Sequence, residues 1–181
     1  MDYVKPAEVV EAMVAAGDTK GSLPAKDLLI RGNLSGALLG IATSLALTGT
    51  VQTNVPLVGA LIFPVGFVLI VLVGLELATG SFALLPLAVT DHKLSARRLL
   101  TNFGWVLLGN LIGSSLYAIL LTGALASADW WVWNQIPVTI GNFVGGALFT
   151  GFALYLTYKP SSTSSTAVAK REPAAEPHLA R

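Results

Sequence analysis

The fold of this chain is decided by residues 55–90, VPLVGALIFPVGFVLIVLVGLELATGSFALLPLAVT, an apolar run that holds a single charged side chain, Glu76. A helix crossing a membrane needs about 20 residues. The 36 residues of this run would make a continuous helix of about 54 Å, too long for one simple crossing. The run is therefore either two tightly connected spans or one span that is interrupted.

The positions of the basic residues favour one interrupted span. Three further apolar runs lie at about 28–49, 102–126 and 132–158, and all eleven lysines and arginines fall outside the four runs or at their ends. Cytoplasmic segments of membrane proteins carry the excess of Lys and Arg. If residues 55–90 cross once, all eleven lie on one side; two crossings would divide them between both sides. One crossing is predicted, with both termini in the cytoplasm.

The composition indicates an all-α integral membrane protein of four spans with a broken second helix. Charged residues make up 12% of the chain, against about 25% in soluble domains. The predicted organisation is a cytoplasmic segment at 1–26, a transmembrane channel domain at 27–158 and a disordered cytoplasmic tail at 159–181. The first segment is mixed in charge and has no apolar core typical of a cleavable signal.

Catalysis is not predicted. The chain has no cysteine, its two histidines lie outside the spans, and no paired carboxylates or phosphate-binding glycine loop are evident. We expect no enzyme activity, no cofactor, no metal and no nucleic-acid partner.

The break in the second span is expected at residues 77–82, because Thr79-Gly80 interrupts the helical pattern there. Irregular backbone at membrane depth is tolerated where it is buried in protein or lines a water-filled cavity. An acid at that depth is a candidate functional residue, and Glu76 either contacts a permeant or, the favoured alternative, accepts hydrogen bonds from loop amides. The Thr79 hydroxyl either serves a small anion or bonds back to the preceding turn.

Two other patterns concern packing. Phe63 and Phe67 share one helix face, either as ordinary packing or as an apolar constriction that excludes hydrated ions. Glycines recur at four-residue spacing and predict close helix contacts. They are Gly32, Gly36 and Gly40 in the first span, Gly109 and Gly113 in the third, and Gly141 and Gly145 in the fourth.

Several stretches resemble the formate/nitrite transporter family. GLELATGS at 74–81 is similar to the family motif G-A-E-L-F-T-G-N, and FGWVLLGNLIGSSL at 103–116 resembles its third span. NQIPVTIGNFVGGALFTGFALYLTY at 134–158 resembles its sixth span, and KPAEVVEAMVAAG near the N-terminus resembles its amphipathic leading helix. The likeness covers about residues 4–158.

The resemblance implies a fold and a pathway. Family members are aquaporin-like pentamers with one pore in each subunit, which pass formate, nitrite, hydrosulfide or, in some relatives, bicarbonate. By position, Phe63 and Phe67 would form the outer constriction, and Leu77 and Ala78 the inner one. Thr79 and Asn142 would be polar residues on the substrate pathway, and Glu76 and Gly80 would have structural roles at the broken helix.

Two departures leave the function open. The family's fourth and fifth spans have no counterpart in this sequence, and Ala78 stands where the family has Phe, which would admit a bulkier anion. The chain is either an anion channel built from a shortened subunit, as a homopentamer or co-assembled with full-length members, or a non-conducting isoform or regulatory subunit. We expect a bacterial inner membrane, with a plastid envelope as the alternative.

Overall fold

A computed structural model describes residues 4–122, 132 and 136–158, which are helical apart from short connections and contain no strand. The predicted all-α membrane protein is confirmed. The helices are α1 (Pro6–Gly21), α2 (Ala25–Thr53), α3 (Pro56–Leu72), α4 (Ala78–Thr90), α5 (Ala96–Thr122), α6 (Ile136–Phe143), a π-helical segment (Val144–Phe152) and α7 (Ala153–Tyr158). The tail predicted at 159–181 lies outside the described residues.

Three described helical stretches are long and apolar enough to cross a membrane, namely Ala25–Thr53, Ala96–Leu121 and Thr139–Tyr158. The apolar helices α3 and α4 are each too short for that and follow one another around a break. The amphipathic α1 buries one face, formed by Val10, Val14 and Gly17, and packs mainly on α4. Among the described residues, α3 and α4 are thus the two halves that fit the predicted interrupted second span.

The break lies at residues 73–77, earlier than the predicted 77–82. Helix α3 ends in a Schellman turn, in which the Leu75 amide donates to the Ile70 carbonyl at 3.0 Å. This turn requires a left-handed residue, and Gly74 supplies it with a φ of 71°. Thr79 and Gly80 instead lie in the first turn of α4, so the prediction was wrong about which glycine ends the helix.

Helices α3 and α4 together cross the bundle once. Leu94, just beyond α4, lies against Gly21 at the end of α1, and the Tyr155 hydroxyl in α7 donates to Asp91 at 3.1 Å. The end of α4 therefore lies beside the beginning of α2 and the end of α7. We call this end of the bundle, which carries Lys20, Lys26, Arg31, Arg97 and Arg98, the basic end.

Helices α2 and α5 approach closely through glycines, as predicted for these two spans. A Cβ atom added at Gly113 would collide with the Asn33 carbonyl, and one added at Gly36 would collide with the Asn110 carbonyl. Gly141 and Gly145 differ, because an added Cβ would meet no described atom within 4 Å. The close contact of the last span with α4 lies instead at Gly151, where an added Cβ would be 2.6 Å from the Ala83 carbonyl oxygen.

We expect Gly113→Val to push α2 and α5 apart and to lower the free energy of unfolding by about 1–3 kcal/mol, because the valine side chain has no space beside backbone atoms. Unfolding of the purified protein in increasing SDS measures this change. Gly104→Val is the matched control, since a Cβ there would meet nothing within 4 Å. Equal effects of the two substitutions would contradict the close approach of the helices.

Candidate functional site

The acid at the break is paired with a lysine from α1. The Lys20 ammonium donates to both carboxylate oxygens of Glu76, at 2.9 and 3.0 Å. Glu76 is 3% exposed and Lys20 is 24% exposed. A buried charge needs a partner because desolvation is costly. The loop amides expected to bond the Glu76 side chain are not its described partners, so Glu76 joins the break to α1.

The main chain of the break is held from the opposite side by α2 and α5. The Glu76 carbonyl accepts hydrogen bonds from the Ser35 hydroxyl at 2.5 Å and from the Asn110 side-chain amide at 2.9 Å. The Ala78 amide donates to Asn110 Oδ1 at 2.9 Å. Since Ala78 is the first residue of α4, Asn110 satisfies groups that the interrupted helix leaves without partners.

Asn110 also joins the break to α2. Its Nδ2 lies 2.9 Å from the Gly32 carbonyl and 2.8 Å from Ser35 Oγ. An amide nitrogen has two hydrogens, so these acceptors and the Glu76 carbonyl share them. The Asn110 side chain therefore connects α5 to three elements: α2, the break and α4.

A cavity of about 510 Å³ adjoins the break on its α1 side. Its lining includes Lys20, Arg31, Phe67, Glu76, Leu77 and Gly80. Lys20 and Glu76 neutralise each other, whereas the side chain of the half-buried Arg31 makes no hydrogen bond or ion pair with any described residue. The described lining of the cavity therefore carries one uncompensated positive charge, which favours small anions.

Thr79 and Asn142 lie apart from this cavity, on the side of α4 that faces α6 and the π-helical segment. Both residues are half-buried. The Thr79 carbonyl lies 3.5 Å from a Cβ built on Gly146. Phe82 and Phe143 meet edge to face with ring centroids 5.5 Å apart. The Thr79 hydroxyl makes no hydrogen bond with the described residues, including the alternative bond back to the preceding turn.

The structure divides the eight predicted site residues into two groups. Phe67, Glu76, Leu77 and Gly80 line the cavity. Ala78, Thr79 and Asn142 are half-buried and Phe63 is 41% exposed, and none of these four lines it. Leu77 is 8% exposed and directly precedes Ala78, the first residue of α4.

Sequence analysis missed Lys20, Ser35 and Asn110 as site residues. The signal for Asn110 was an amide side chain in the middle of an apolar span, and polar groups at that depth need partners. The signal for Lys20 was the need of Glu76 for a positive charge. Their pairing was not evident because the partners lie 32 and 56 residues apart in sequence.

Residues 7–128 match the family model described as Formate/nitrite transporter, which is more than half of the chain. A "Probable formate transporter" of Methanothermobacter thermautotrophicus is 30% identical over 81% of the chain and 57% of its own length.

Two Bacillus proteins are also similar. The "Formate channel BtFdhC" of Bacillus thuringiensis is 31% identical over 72% of the chain and 53% of its own length. The "Uncharacterized transporter YrhG" of Bacillus subtilis is 38% identical over 63% of the chain and 45% of its own length. The chain thus spans about half the length of these curated relatives.

Proposed function

Because the chain belongs to the formate/nitrite transporter family, we propose that it provides a pathway for formate through a membrane. The family consists of transporters, so the prediction that the chain is not an enzyme is confirmed. The observation that carries the proposal is the cavity at the break, where Arg31 supplies a positive charge beside a paired Lys20 and Glu76. A site with one net positive charge suits a monovalent anion.

In the proposed pathway, the anion enters the cavity from the basic end, drawn by Arg31. Lys20 does not trap it, because both oxygens of Glu76 already accept from the Lys20 ammonium. The anion then leaves its water beside Leu77, which lines the cavity as an apolar group. Pore width and lining donors are sufficient to select among ions.

Beyond Leu77, the anion would meet the first turn of α4. A helix N-terminus presents amide hydrogens and a positive dipole end to an anion. The Thr79 hydroxyl adds a donor that the described residues leave unused, and Asn142 would contribute an amide from the neighbouring α6. Phe63 and Phe67 would form the outer constriction.

Nitrite, hydrosulfide and bicarbonate belong to the same proposal, because each is a small monovalent anion. Ala78 gives more room at the inner constriction than the family's Phe and would favour the bulkier ions. We place the protein in a bacterial inner membrane with both termini in the cytoplasm, as a homopentamer or with full-length relatives; a plastid envelope is the alternative.

We expect Thr79→Val to reduce formate flux into liposomes at least tenfold, since a hydrogen bond to a charged group contributes about 1.5–3 kcal/mol. Thr79→Ser should retain most of the flux because it keeps the donor. Thr43→Val is the matched control, since the Thr43 hydroxyl bonds only to its own helix, at the Leu39 carbonyl 2.8 Å away. If Thr79→Val leaves the formate flux unchanged, the proposed role of Thr79 in the pathway is wrong.

The second candidate is a non-conducting isoform or a regulatory subunit. It is favoured by the coverage of the relatives, about half of their length. In the same assay it predicts no formate flux from the 181-residue chain alone. It also predicts altered flux when the chain is reconstituted together with a full-length relative.

A further inference from the structure

A second cavity, of about 370 Å³, lies at the basic end, between the α1–α2 connection and the beginning of α5. Its polar lining consists of three hydroxyl residues, two arginines and an asparagine. They are Ser22, Ser95, Thr101, Arg97, Arg98 and Asn102. No acidic residue among those that the structure describes lines it. The proposed anion pathway does not use this cavity.

Asn102, which lines this cavity, has an unused acceptor. Its side chain is 1% exposed, and its Nδ2 donates to the Lys20 carbonyl at 3.0 Å. That bond fixes which end of the amide is the oxygen, and Oδ1 has no hydrogen-bond partner among the described residues. An unpaired buried acceptor costs about 1–3 kcal/mol. A ligand that brings a hydroxyl donor would satisfy it.

The remaining groups of the cavity favour a negative charge. Arg97 makes no side-chain hydrogen bond or ion pair with any described residue, and Arg98 Nη1 lies 3.4 Å from the Ser22 hydroxyl. Both arginines are in the first turn of α5, where the amide groups and the helix dipole add positive potential. Two guanidinium groups beside hydroxyls and a helix N-terminus match the requirements of a phosphate group.

We propose that this cavity binds a phosphate ester that carries a free hydroxyl, supplied by the headgroup of an anionic glycerophospholipid such as phosphatidylglycerol. The phosphate lies against Arg97 and Arg98, and the headgroup hydroxyl donates to Asn102 Oδ1. The position of the two arginines along the chain favours a lipid over a soluble ester. The arginines directly precede the uncharged run that begins at Leu99, where a span meets the interface, and basic sites between helices bind lipid headgroups there.

The bound headgroup would join α5 to the end of α1. Asn102 already contacts the Lys20 carbonyl, and Ser22 already contacts Arg98. A ligand that contacts Arg97, Arg98 and Asn102 together should therefore raise the thermal stability of the protein, because it binds only the folded state.

The test is the thermal unfolding midpoint of the detergent-purified protein, titrated with short-chain lipids. Phosphatidylglycerol should raise the unfolding midpoint, and the increase should level off as the lipid concentration rises. Phosphatidylmethanol, which has the same charge but no headgroup hydroxyl, should bind at least about fivefold more weakly. Phosphatidylcholine should have no saturable effect. This comparison needs no variant, and equal affinity for the two anionic lipids would overturn the role of Asn102.

The variant Arg97→Gln/Arg98→Gln should weaken phosphatidylglycerol binding at least tenfold. Lys5→Gln/Lys26→Gln is the matched control, since it removes two exposed positive charges outside the cavity. An equal loss in both variants would mean general attraction to anionic lipid and would overturn the site. Glycerol 3-phosphate tests whether the phosphate ester comes from a lipid or from a soluble molecule. If it binds as tightly as phosphatidylglycerol, the phosphate-ester site is supported and the assignment to a lipid is overturned.

Discussion

Replacing Lys20 with methionine should lower the free energy of unfolding by about 3 kcal/mol or more, because the Glu76 carboxylate stays buried without its positive partner. Glu76 is 3% exposed, and the Lys20 ammonium contacts both of its oxygens. The double variant Lys20→Met/Glu76→Gln should regain most of the loss, because it removes the buried charge together with its partner. The free energy of unfolding is measured in increasing SDS for the unsubstituted protein, for Lys20→Met and for the double variant.

A surface ion pair of the same chain provides the control. Lys93 lies 3.6 Å from Asp91 and is 49% exposed, and exposed pairs contribute about 0–1 kcal/mol. Lys93→Met should therefore change the stability far less than Lys20→Met does. If the two lysine variants are equally stable, or if the double variant is as unstable as Lys20→Met, the pairing of α1 with the break is not a structural tie.

Asn110→Leu should have a similarly large effect and should act on the break directly. The substitution leaves the Ala78 amide without its described side-chain partner. The Gly32 and Glu76 carbonyls lose their bonds to Asn110 and keep only the Ser35 hydroxyl as a described side-chain donor. A buried group left unpaired costs about 1–3 kcal/mol and each further lost hydrogen bond about 0.5–1.5 kcal/mol, so we expect a loss of about 3 kcal/mol. Hydrogen exchange at the Ala78 amide should also be faster in Asn110→Leu than in the unsubstituted protein.

Two further substitutions separate the roles of Asn110. Asn110→Asp keeps an oxygen for the Ala78 amide and loses the donors, so the Ala78 amide should remain protected while stability falls. Ser114→Ala is the control on the same helix, because the Ser114 hydroxyl bonds only to the Leu111 carbonyl at 3.1 Å. Two results would contradict the proposed contacts: accelerated hydrogen exchange at the Ala78 amide in Asn110→Asp, or no acceleration there in Asn110→Leu.

The broken second span was predictable, but its geometry was not. The length of residues 55–90 and the one-sided distribution of basic residues already required one interrupted crossing. The position of the break was missed because both Gly74 and Gly80 fit the pattern. Only the backbone distinguishes them: Gly74 has a φ of 71°, whereas Gly80 lies inside α4. A short glycine-containing motif does not reveal which glycine takes the left-handed conformation.

The partners of the break depend on contacts between segments distant in sequence. Lys20 is 56 residues from Glu76, and Asn110 is 32 residues from Ala78. Periodicity within one helix does not predict which residues of α1 and α5 meet the break, because that depends on how the glycine contacts set the helices against each other. The need of Glu76 for a partner was predictable, and the identity of the partner was not.

The central claim is that the cavity at the break receives the permeant anion, and Gly80→Cys tests it most directly. The chain has no cysteine, Gly80 lines the cavity, and a Cβ there meets nothing within 4 Å. We expect an anionic methanethiosulfonate reagent to modify Gly80→Cys and formate to slow that reaction, while formate leaves Gly104→Cys unaffected. A modification rate of Gly80→Cys that formate does not change would contradict the account.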